Sequence, residues 1–206
     1  VNALGQIDIL RNDVTDVPAE GSLAPRDYDI SEGDAVSSIL QRMRQTQDTI
    51  LTEAWQNRVD GLPLASAEEA LILASIIEKE TSVADERRQV ASVFINRLNR
   101  GMRLQTDPTV IYGITRGEGV LGRGLRQSEL RGETPWNTYV IPALPPTPIA
   151  NPGKAAIEAA LDPDTTDYIF FVADGTGGHA FATNLDDHNR NVARWREIEA
   201  ERADDG

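Results

Sequence analysis

Two glutamates, Glu78 and Glu80, close a largely apolar stretch that begins at Ala70. An ionisable group at the end of a buried helix is costly unless it has a partner or a task, and the usual task is acid–base chemistry. On a helix, residues two apart point about 200° from each other, so these carboxylates cannot pair on one face. At about 100° per residue, Ile72, Leu73, Ile76 and Ile77 form one stripe, and Glu80 falls near its middle. Glu78 falls on the far side beside Lys79, where a solvated acid is ordinary. If the helix runs through residue 80, Glu80 faces the core or a cleft; otherwise the helix end has already turned to solvent.

The elements that must position these acids are punctuated by capping signals. Ser66 with Glu69 makes a capping box ahead of the apolar run, after the hinge Gly61-Leu62-Pro63, and predicts a helix over 66–81. Ser82-Val83-Ala84-Asp85 resembles a second box, opening a helix over 85–100 with Val90, Val93, Phe94 and Leu98 in period. Arg97 and Arg100 sit in its last turn and Gly101 caps it. A polar turn follows, Gln105-Thr106-Asp107-Pro108-Thr109. Asp107 is either a second reacting carboxylate or a cap on its own turn ahead of Pro108.

The rest of the map is coarser. Residues 1–33 read as loop with room for short strands, and Val36, Leu40, Met43, Ile50 and Leu51 predict a helix over 34–59. The Pro- and Gly-rich stretch 102–150 reads as irregular chain walling a cleft. Asn151-Pro152 opens a helix running through 155–161. Residues 168–173 and 179–183 form a hairpin around Gly175-Thr176-Gly177-Gly178, and a charged helix spans 185–203. The expected fold is α+β, mainly helical, with a small antiparallel sheet and no internal repeat.

Composition narrows the chemistry. A chain of 206 residues suffices for one domain with a real core. A net charge of −13 argues against nucleic-acid binding. With no cysteine there is no disulfide framework and no thiol chemistry. No apolar run approaches the ~20 residues of a membrane span, and no signal peptide is visible. His179 and His188 do not have the spacing of a zinc site, so neither metal nor cofactor is expected. The glycine-rich turn before His179 lacks the Gly-Lys-Ser/Thr of a phosphate loop. His179 reads as structural, or at most as support for a neighbouring group.

At this point the residues carry a resemblance. Ile76-Ile77-Glu78-Lys79-Glu80-Thr81, Val93–Leu98, Met102–Val110 and Tyr112-Gly113 resemble the YceG-like family of endolytic murein transglycosylases. So do Asn137-Thr138-Tyr139, Leu144-Pro145-Pro146, Ile149, Pro152-Gly153, Tyr168, Phe171-Val172-Ala173, Gly178-His179, Phe181, Thr183-Asn184 and His188-Asn189. Glu20–Pro25 and Tyr28 match the family's entry segment more loosely, and the likeness covers roughly 19–195. Pro25-Arg26-Asp27-Tyr28 departs from the family's Pro-Asp-Thr-Tyr, and Trp136 stands where Tyr is frequent.

The resemblance implies cleavage of the β-1,4 bond between N-acetylmuramic acid and N-acetylglucosamine in nascent glycan strands of peptidoglycan, leaving 1,6-anhydromuramic ends. It makes Glu80 the catalytic acid, with Gln105 and Thr106 as sugar ligands. It adds Asp107, Tyr112, Asn137 and Tyr139 to the cleft, although a lone Tyr or Asn is usually structural. Glu20 either polarises that cleft or ends a loop. Ordinary glycosidases need two carboxylates about 5 Å or about 6.5–9.5 Å apart. A lytic enzyme can use one, because the muramic C6 hydroxyl is already tethered to the substrate. A hydrolytic muramidase, or a binding or scaffold domain of the synthesis machinery with little turnover, is the alternative. Peptidoglycan is the implied partner, with room for its synthases and none for nucleic acid. Because the chain opens at Val1, it reads as a fragment: 1–18 as a connector or remnant of a LysM-like subdomain, 19–206 as the catalytic domain. The family's usual N-terminal anchor implies the periplasmic side of the bacterial inner membrane.

Overall fold

The computed structural model describes residues 7–204. Its helices are α1 (Val36–Gln56), α2 (Ala67–Glu80), α3 (Arg87–Asn99), α4 (Asp107–Thr115), α5 (Gln127–Leu130), α6 (Lys154–Leu161) and α7 (Leu185–Asp204). A 3₁₀ turn, Ala84–Glu86, precedes α3, and strands β1 (Phe170–Ala173) and β2 (His179–Ala182) lie between α6 and α7. The fold is α+β and mainly helical, as expected.

Helix α2 is the axis of the core. Ser66 Oγ accepts from the Glu69 amide at 3.3 Å, and the Glu69 carboxylate reaches back to the Ala65 amide at 2.7 Å. The apolar stripe is fully buried at Leu73, Ile76 and Ile77, each contributing about 1.5–3 kcal/mol. Ala70 and Ala74 on α2 and Ala156 and Ala160 on α6 are fully buried, and these small residues let the two helices pack closely. Val90, Ala91 and Phe94 of α3 complete the same cluster. The antiparallel hairpin pairs Phe170 with Ala182 and Ala173 with His179. Alternate side chains point to opposite faces: Phe171 meets Phe94 of α3 edge-on at 5.8 Å, while Phe170 stacks on His188 of α7 at 4.8 Å.

A smaller cluster of Leu23, Val36 and Leu40 gathers Leu10, Val14 and Met43. Buried Gln47 ties this part to the core by donating to the carbonyls of Gly21 and Pro152, both at 3.0 Å. The described part of the expected 1–18 connector therefore packs on α1; residues 1–6, like 205–206 at the other end, lie outside the described residues.

Several boundaries differ from expectation. Helix α1 starts at Val36 because Ala35 is drawn into a parallel bridge with Arg11, and it ends where Asn57 folds its amide onto the Glu53 carbonyl. No capping box forms at Ser82; Thr81 Oγ1 takes the Val83 amide at 3.0 Å, and the helix waits until Arg87. The stretch 102–150 is not wholly irregular, since it contains α4 and α5. Asp107-Pro108 is the first turn of α4, where proline's missing N–H is harmless. Helix α6 begins at Lys154, two residues beyond Pro152. Among the described residues no helix is long and apolar enough to cross a membrane.

Candidate active site

Glu80 is the last residue of α2, and Thr81 leaves the helix in an extended conformation. Ile76 and Ile77 of the preceding turn are fully buried, so the carboxylate is carried to the edge of the core rather than into water. Thr106, the N-cap of α4, donates its hydroxyl to Glu80 Oε1. Burial pushes the Glu80 pKa up from 4.5 to about 7; the Thr106 bond, His179 and Arg97 pull against this, while Asp107 adds to it. The outcome is a carboxyl group that carries a proton around neutrality.

Thr106 is fixed from behind. Its amide donates to Thr138 Oγ1 at 3.0 Å, and Thr109 Oγ1 lies 2.8 Å from the same hydroxyl. Gln105 takes a left-handed conformation, φ 52°, to turn the chain into α4, and its side chain stays exposed. Arg97 of α3 buttresses the turn, donating to the carbonyls of Leu104 at 2.8 Å and Ile169 at 2.6 Å. Asp107 is exposed and accepts from the Tyr139 hydroxyl at 2.6 Å; burial first, then this bond, raises the Tyr139 pKa.

Glu80, Gln105, Thr106, Asp107 and Tyr139 therefore assemble in one place. Asn137 does not line it. It is fully buried, and its side-chain amide bonds the carbonyls of Glu129, Leu130 and Gly132 at 2.7–3.2 Å. Its carbonyl oxygen takes the Tyr139 amide at 2.9 Å, so it is a strut that holds the Tyr139 segment. Glu20 and Tyr112 belong to a neighbouring group. Burial raises the pKa of both, and Glu20 adds to the rise at Tyr112. Tyr112 packs on Trp136 at 5.9 Å, and the Arg116 guanidinium lies 3.6 Å over the Trp136 ring.

Glu78 is not the solvated acid expected. It is half-buried, and its Oε2 accepts from the Gly153 amide at 3.0 Å, at the start of α6. It points away from the Ile76–Ile77 stripe as the helical geometry requires, but a second helix covers that side.

A pocket of about 230 Å3 opens beside Glu80, lined by Thr81, Ser82, His179, Trp195 and Arg202 together with the glycines of the hairpin tip. One wall of the cleft is thus the hairpin, not the 102–150 segment alone. A larger cavity of about 560 Å3 lies between α1, α3 and α6, and contains none of these groups. Among the described residues no cluster of three metal-ligating side chains occurs. The participation of His179 was hidden in the sequence because its partner Glu86 lies 93 residues away.

The chain is similar to known proteins along most of its length. The model of the YceG-like family matches residues 3–194. An endolytic murein transglycosylase of Bacillus subtilis is 36% identical over 197 residues, 91% of this chain and 52% of its own length. One of Streptococcus pneumoniae is 34% identical over 180 residues, 84% of this chain and 32% of its own. The crystal structure of a yceG-like protein from Listeria monocytogenes superposes with a TM-score of 0.70 at 36% identity, covering 82% of this chain and 54% of that one. The chain thus spans about half the length of the Bacillus relative and a third of the Streptococcus one. A match along nearly all of its residues, in sequence and in fold, places this chain in the YceG-like family.

Proposed function

We propose that this chain is the catalytic part of a lytic transglycosylase that cuts nascent peptidoglycan strands internally and leaves 1,6-anhydromuramic ends. The observation that carries the reading is Glu80: a partly buried carboxyl group beside an open pocket, protonated up to about pH 7. A general acid works best when its pKa lies near the operating pH. Glu80 gives its proton to the departing glycosidic oxygen, and the muramic C6 hydroxyl closes on the anomeric carbon. The nucleophile arrives with the substrate, so no second carboxylate is required to activate water. Thr106 holds the acid in place, and Gln105 and Tyr139 present polar groups where a sugar would lie. The relatives named endolytic murein transglycosylases support this reading. Such a substrate puts the working site on the periplasmic face of the inner membrane, beside the synthases that extend the strands.

A hydrolytic outcome is the second reading, and Asp107 favours it. This exposed carboxylate is near enough to Glu80 to raise its pKa, and would serve as the base that activates water. Mass spectrometry of uncrosslinked nascent strands decides between the two, because the anhydro product lacks one water. The expected result is anhydromuramic ends from the wild-type chain and none from Glu80→Gln. Reducing ends would transfer the mechanism to the Glu80–Asp107 pair. Glycan binding without any cleavage would make the chain a binding domain.

A further inference from the structure

We propose that His179 is the second proton-handling group of this cleft: held by Glu86, its Nε2 takes the proton of the hydroxyl that closes on the anomeric carbon while Glu80 protonates the departing oxygen. The inference rests on the lytic reading above and deepens it.

The Glu86 carboxylate grips His179 twice, taking its backbone amide on Oε1 at 2.9 Å and its ring Nδ1 on Oε2 at 2.8 Å. A carboxylate only accepts, so the shared proton sits on Nδ1 and the bare ring nitrogen is Nε2. Phe171 packs edge-on against the ring at 5.2 Å and limits its rotation. The ring lines the same pocket as Glu80.

Two further features show how far the fold bends to hold this imidazole. Glu86 stands at the N-cap of α3 yet makes no capping bond, its carboxylate turned to the hairpin instead. A Cβ added at Gly178 would lie 2.4 Å from Glu86 Oε1, so only glycine there leaves room for the carboxylate. Asp107, the other candidate base, is already engaged by the Tyr139 hydroxyl. The charged groups facing His179 are Glu80 from α2, Glu86 from the 3₁₀ turn, Asp174 from the hairpin tip and Arg202 from α7.

The step balances without water, oxidant or cofactor. The bond from C1 to the leaving oxygen breaks as that oxygen receives the Glu80 proton. The C6 oxygen bonds to C1, and its proton passes to Nε2. Glu86 offsets the charge on the ring, and the proton returns to Glu80 directly or through solvent, restoring both groups.

Kinetics on uncrosslinked nascent strands test the assignment, with product identity followed by mass spectrometry. His179→Gln is expected to lower kcat by about 10²–10⁴-fold and to lose the acidic limb of its pH–rate profile, with its thermal midpoint preserved. His179→Ala is expected to regain activity with added imidazole, which a merely structural histidine would not permit. Glu86→Gln, the test if His179→Gln does not fold, is expected to lower kcat with KM unchanged, because the ring loses the partner that orients it. A wild-type rate and profile in His179→Gln, or a folded His179→Ala indifferent to imidazole, would overturn the proposal. Reducing ends from the wild-type chain would overturn the lytic reading itself, and with it the hydroxyl assigned to His179.

Discussion

Glu80 is held in a state that lowers stability. Its pKa is raised in the folded chain, so the native state binds the proton more tightly than the unfolded one. Stability present below pH 4.5 is therefore lost as the pH climbs through about 7. At about 1.4 kcal/mol per pH unit across that window, the loss is about 3 kcal/mol. Glu80→Gln keeps the shape without the charge: urea melts should find it as stable as the wild type at pH 4 and more stable by about 3 kcal/mol at pH 8. Equal stability at pH 8 would mean that the carboxylate is solvated after all. This residue was legible in the sequence because helical periodicity puts it in line with Leu73, Ile76 and Ile77. Asn137 was not, because an asparagine next to an aromatic residue reads the same whether it faces a sugar or holds up a loop. The His179–Glu86 pair could not be read at all; no local pattern joins a histidine after a turn to an acid before a helix.

Most helices were legible from their stripes, while their ends were set by interactions between distant parts. Glu69 and Ser66 signalled the start of α2 because a cap is a local arrangement. The start of α3 was missed by two residues because Glu86 turns to the hairpin instead of its own helix. Helix α4 was hidden by Asp-Pro, which reads as a turn but equally suits the first turn of a helix. At α6, the Gly153 amide is satisfied from outside, by Glu78. Glu78→Gln weakens that bond from charged to neutral, so the expected loss is about 1 kcal/mol of stability with cleavage nearly unchanged. Chemical denaturation with the strand-cleavage assay checks both; loss of cleavage in a folded Glu78→Gln would reverse the roles given to the two acids.

The molecule as a whole rests on two apolar clusters of unequal size. The large one joins α2, α3 and α6 to the hairpin, and the small one holds the first described residues against α1. Hydrogen exchange should separate them. Leu73→Ala, at a fully buried site, should cost about 2–5 kcal/mol and reduce protection throughout α2, α3 and α6. Leu23→Ala should release mainly residues 7–33 and the start of α1; a uniform loss in both variants would mean that the clusters open together. The cleft gathers its parts from across the chain: the acid at residue 80, its threonine at 106, and a wall from residues 173–202. An unfolded or half-made chain carries Glu80 as an ordinary acid, ionised at neutral pH and with no proton to give. Only when the last third of the chain has docked does the side chain lose enough water to hold one. On the proposed reading, a nascent polypeptide on its way out of the ribosome brings its acid early but stays inert, and the capacity to cut arrives with the completion of the fold.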